Sequence, residues 1–98
     1  MNKQLRSEIR SRKMHLLITE KLKGNPALWS KPEQNLEKWL KMNVCIDTYS
    51  EWRRIFNTSS KEEIIEIISS NSERSIKLRS SSPFTGILTP KERNLFFK

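Results

Sequence analysis

The chain has 98 residues, 35% hydrophobic and 31% charged, and nineteen Lys and Arg outweigh eleven Asp and Glu to leave a net charge of +8. That length suits one domain with one core, burying roughly two thirds of the surface an unfolded chain exposes, and excludes two independent cores. No apolar run approaches the roughly 20 residues of a membrane span, the single Cys45 cannot close an internal disulfide, and one His with one Cys falls short of a structural zinc site.

The charge is uneven. Residues 1–24 hold seven basic residues against two acidic, and residues 72–98 hold six against two, whereas residues 58–71 hold one against three. Basic ends favour nucleic acid, an anionic membrane surface or an acidic protein. The charged start lacks the apolar region of a secretory signal, so a reducing cytoplasm is the expected compartment and no membrane partner is assigned.

In chain order, the spacing predicts a first helix from about Lys3 to Lys23, stopped by Gly24-Asn25-Pro26, with residues 1–10 open to fraying. Its apolar residues form two stripes: Leu5, Ile9 and Leu16 on one side, Met14, Ile18 and Leu22 on another. Such a helix either packs on two sides or serves both its own core and a partner. Trp29, before Ser30, reads as a hydrophobic staple toward a second helix over about Lys31 to Met42, whose Leu36, Trp39 and Leu40 share a face. A third, about Tyr49 to Phe56, offers Tyr49, Trp52, Ile55 and Phe56 to the core.

Ile64, Ile65, Ile67 and Ile68 make the most apolar cluster. Such β-branched runs suit a strand too, but Lys61-Glu62-Glu63 and the preceding serines favour a buried helix. Further helices are predicted from Ser72 to Ser80 and after Thr89. Four hydroxyl–carboxylate capping boxes punctuate the chain: Ser30 with Glu33, Thr48 with Glu51, Ser59 with Glu62 or Ser60 with Glu63, and Thr89 with Glu92. The expected architecture is all-α, one domain over residues 1–98, a bundle of five or six short helices.

Catalytic groups are scarce. His15 stands among basic residues with no carboxylate to orient it and reads as a surface or partner contact; Cys45, between Val44 and Ile46, reads as buried. With two glycines there is no phosphate loop, and Glu62, Glu63 and Glu66 read as a solvated face, so the chain is expected to be no enzyme and to hold no cofactor or metal. DNA binding has a basis in residues 61–81, which can be drawn as a helix-turn-helix presenting Arg74, Lys77 and Arg79, with Arg53 and Arg54 as further exposed cations. Against it stand an acidic preceding helix and a turn without glycine. An RNA- or ribosome-associated role suits the charge but has no recognition motif.

The most specific run is Leu78-Arg79-Ser80-Ser81-Ser82-Pro83-Phe84-Thr85-Gly86-Ile87-Leu88-Thr89-Pro90-Lys91-Glu92-Arg93. Its apolar loop can close its own core or receive a partner. Its basic flanks favour the partner, with Phe84 as anchor, Arg79 and Arg93 as charged donors, and Ser82, Pro83 and Gly86 shaping the approach. The run resembles the Leu-Arg-x-Ser-Ser-Pro-Phe-x-Gly-x-Leu-x-Pro-x-Glu-Arg tail of small helical bacterial proteins that look like antitoxin-type partners encoded beside a toxin gene. The likeness extends to the basic first helix and the tryptophan-bearing middle helices, but only the tail is specific. Asn94-Leu95-Phe96-Phe97 departs from it where another tryptophan is usual, leaving the last helix without an assigned role. The resemblance implies a non-enzymatic module that binds a cognate toxin through a basic helical surface and the Pro83–Leu88 loop.

Overall fold

A computed structural model describes residues 3–97. Six α-helices follow one another: α1 (Lys3–Gly24), α2 (Ser30–Lys41), α3 (Ile46–Thr58), α4 (Lys61–Ser69), α5 (Glu73–Arg79) and α6 (Pro90–Asn94), with 3-10 turns at Pro26–Trp29 and Leu95–Phe97. There is no strand among the described residues, so the isoleucine-rich segment is the helix α4. The all-α expectation holds.

Helix starts show where local pattern suffices. Ser60 Oγ accepts the Glu63 N–H while Glu63 accepts the Ser60 N–H, and Thr89 and Glu92 do the same, so these two capping boxes form as expected. Ser30 and Thr48 do not cap. The 3-10 turn runs straight into α2, and the Ser30 hydroxyl donates back to the Ala27 carbonyl at 3.0 Å. Thr48 lies inside α3, which begins at Ile46 because Cys45 turns the chain in the left-handed region at φ 44°. That turn leaves Cys45 exposed, correcting its assignment to the core. α1 ends at Gly24, at the expected Gly24-Asn25-Pro26 stop, with Gly24 itself still helical.

α1 packs against α4, α5 and the C-terminal turn, while α2 pairs with α3. Ile18 and Leu22 of α1, Leu36 of α2, Trp52 and Ile55 of α3, Ile64 and Ile68 of α4 and Leu78 of α5 meet in one core. Trp39 and Leu40 are half-buried rather than core residues; Trp39 lies against Tyr49 with ring centroids 4.8 Å apart. Trp29 is buried against Phe56 and Phe84, at 6.4 and 6.3 Å, deeper than a staple on α2 requires.

The loop after α5 closes this core. Phe84 is 2% exposed and Pro83, Ile87 and Leu88 are buried. Asn35 Nδ2 donates to the Pro83 and Thr85 carbonyls, both at 2.9 Å, and Lys21 Nζ donates to the Ile87 carbonyl at 2.7 Å. Gly86 turns the loop at φ 95°, where a Cβ would stand 2.7 Å from Lys31 Cε. The lysine tip can move but the backbone conformation cannot be kept without strain, so Gly86→Ala is expected to cost about 1–2 kcal/mol in urea unfolding. An unchanged midpoint would mean that the turn relaxes to negative φ.

Candidate functional site

The residues singled out from sequence separate into inside and outside. Phe84 is ringed by His15, Trp29, Trp52 and Phe56, with centroids 6.3, 6.3, 5.8 and 5.9 Å away. Burying an aromatic of this size is strongly favourable, and it removes Phe84 and Pro83 from any partner surface. Arg79 is 4% exposed, and its Nη1 donates to the Ile68 carbonyl at 3.2 Å and to the Ser70 carbonyl, bracing the α4–α5 turn. Thus neither Phe84 nor Arg79 is the exposed anchor that the loop's composition suggested. Gly86 and Arg93 are exposed, and Ser82 is half-buried.

Ser82 belongs to a polar relay. His15 Nδ1 donates to the Ser11 carbonyl at 2.7 Å, its Nε2 accepts from the Ser82 hydroxyl at 2.8 Å, and Ser82 Oγ accepts the Phe84 N–H at 3.1 Å. His15 is buried, which corrects its reading as a surface contact. Burial lowers its pKa to about 4, with the Arg79 charge acting the same way and the Ser11 carbonyl opposing both. A neutral imidazole held between a carbonyl and a hydroxyl is a structural tie between α1 and the loop, and a base so weak has little drive to activate Ser82.

The helix-turn-helix drawn over residues 61–81 exists as α4, a three-residue turn and α5, but its cations are dispersed. Arg79 is inside, and Arg74 and Arg54 both bind Glu51, Arg74 at 3.3 Å. Those bonds, led by Arg54, hold the Glu51 carboxyl below the usual range. Arg53 is half-buried, leaving Lys77 exposed and outside any ion pair among the described residues. α5 also opens with Glu73, whose charge opposes a phosphate at that end.

Another surface is better assembled. The two apolar stripes of α1 part company: Ile18 and Leu22 enter the core, while Leu5, Ile9 and Leu16 remain 44%, 38% and 38% exposed. Lys13 lies one turn from both Ile9 and Leu16, and Lys3, Arg6 and Lys13 are exposed. The C-terminal segment runs back along α1. Lys21 pairs with Glu92 at 2.7 Å, holding that carboxyl below its ordinary pKa, Arg10 Nε donates to the Phe96 carbonyl at 3.1 Å, and the Arg10 guanidinium lies 4.3 Å from the Phe97 ring centre. The two basic ends therefore meet. Leu95, Phe97, Lys91 and Arg93 are exposed on this returning segment.

Sequence periodicity revealed the stripe, but no signal announced that the C-terminal turn would return to it. Among the described residues, no cluster of three or more His, Cys, Asp and Glu could hold a metal, and no helix is long and apolar enough to cross a membrane. Compared with known proteins, the chain matches no family model, no curated protein and no solved structure.

Proposed function

We propose that this chain is a non-enzymatic, cytoplasmic protein-binding module, the antitoxin-like partner of a bacterial toxin, which it engages with the α1 and C-terminal surface. The observation that carries the reading is the exposed Leu5, Ile9 and Leu16 stripe, flanked by Arg6 and Lys13, on a helix whose other stripe sends Ile18 and Leu22 into the core. Apolar anchors flanked by exposed cations suit an acidic protein surface, and the antitoxin-like tail supports a toxin as that protein. The tail's part is to close the core and carry α6 back to α1, in place of direct contact through Phe84.

A tagged pull-down from the native cell, with and without nuclease, tests this. One near-stoichiometric protein should survive nuclease, and the Ile9→Glu/Leu16→Glu variant should weaken its binding at least about tenfold while leaving helicity by circular dichroism unchanged. Loss of every recovered protein on nuclease treatment would replace the reading with that of a small nucleic-acid-binding regulator, whose affinity would fall steeply with salt.

A further inference from the structure

Arg79 is the buried charge that the bundle compensates least. It is in none of the ion pairs among the described residues, both its hydrogen bonds leave from Nη1, and Nε is buried without a partner. Burial and the like charge of Arg12 act against its protonated form, and Glu8 is the carboxylate that favours it. A buried guanidinium facing two carbonyls and one distant acid lacks the anion such a group ordinarily receives.

Beside it, between α1 and α5, lies a cavity of about 530 Å³ whose wall includes Arg79, Lys77, Ser7, Ser11 and Glu8. Lys77 is exposed and in no ion pair among the described residues, and Ser7 and Ser11 stand on successive turns of α1. Two cations and the hydroxyls of Ser7, Ser11 and Ser80 surround one hollow, donors from several directions that a tetrahedral oxyanion uses more fully than chloride can. The volume exceeds that of a bare ion and falls in the range of small-ligand sites. The lining has no aromatic ring, so nothing there stacks a nucleobase.

The geometry points to a phosphate-binding site in this α1–α5 cavity, with Arg79 and Lys77 holding the phosphoryl group of a free phosphate or a small phosphate ester. Glu8, the lining's only carboxylate, is the internal competitor for these cations. This site lies apart from the exposed stripe of α1 and does not depend on the partner reading.

Titrating the full chain with inorganic phosphate and with O-phosphoserine, at constant ionic strength against chloride, tests it by calorimetry and by melting temperature. Saturable binding is expected, weakened about tenfold by Lys77→Ala, whose side chain is exposed and whose loss leaves the core intact, and tightened several-fold by Glu8→Gln. Tighter binding of phosphoserine identifies an ester as the ligand, and equal or weaker binding identifies the free ion. The site is overturned if phosphate behaves as chloride with both the wild type and Glu8→Gln. It is also overturned if Glu8→Gln lowers the melting temperature and phosphate does not restore it, because Glu8 is then the permanent counter-ion of Arg79.

Discussion

Replacing Phe84 by alanine is expected to lower the free energy of unfolding by about 3–5 kcal/mol, the range for deleting a buried aromatic ring. The ring touches residues from α1, α3 and the 3-10 turn through His15, Trp52, Phe56 and Trp29, so no single element can collapse into the space it leaves. Against a typical domain stability of about 5–15 kcal/mol, such a loss leaves a large share of molecules unfolded or loosely packed. Tryptophan emission reports it directly, because Trp29 and Trp52 both lie against Phe84 and should shift to the red as water enters. Arg93→Ala is the matched control; its side chain is exposed and outside any ion pair among the described residues, and should change stability by no more than about 0.5 kcal/mol. Urea midpoints that coincide for the two variants would show that Phe84 does not close the core. The pairing also separates folding from recognition: a partner lost with Phe84→Ala says nothing about contact, whereas one lost with Ile9→Glu/Leu16→Glu does.

What was legible in the residues was what depends on near neighbours. The Ser60–Glu63 and Thr89–Glu92 boxes need only four residues in a row, and they form. Ser30 and Thr48 carry the same pattern and fail because residues upstream had already decided the helix start, through the Pro26–Trp29 turn in one case and the left-handed Cys45 in the other. The two stripes of α1 were visible from a 3.6-residue period, but the period is blind to which stripe the rest of the chain covers. The same limit explains Phe84 and His15. Apolar character and basic flanks describe the loop equally well inside or outside, and the contacts that draw it inward come from Asn35, 48 residues before Pro83, and from His15, 67 before Ser82. Arg79 shows the converse. Its charge is plain in sequence, yet the two carbonyls that take it into the α4–α5 turn have no side-chain signature at all.

His15 should make the fold sensitive to mild acid. Its pKa falls from 6.5 to about 4 on folding, so between those values the unfolded chain binds a proton that the folded chain does not. The stabilisation is complete above pH 6.5 and is lost as pH falls toward 4, by about 3 kcal/mol over the window. Glu51, Glu63 and Glu92 are held below their ordinary carboxylate pKa by hydrogen bonds, so what they contribute is lost at lower pH and leaves the interval from 6.5 to 4.5 to the single histidine. Urea midpoints measured across that interval should fall with pH in the wild type and stay level in His15→Gln; a level wild type would mean that the imidazole protonates without leaving its site. The first segment to loosen follows from the relay. A protonated Nε2 can no longer accept the Ser82 hydroxyl, and Ser82 is the group that accepts the Phe84 N–H. Hydrogen exchange at the Phe84 amide should therefore quicken before that of the α2–α3 amides as pH is lowered, once rates are corrected for intrinsic chemistry. Simultaneous quickening throughout would trace the acid response to the net charge of +8 instead.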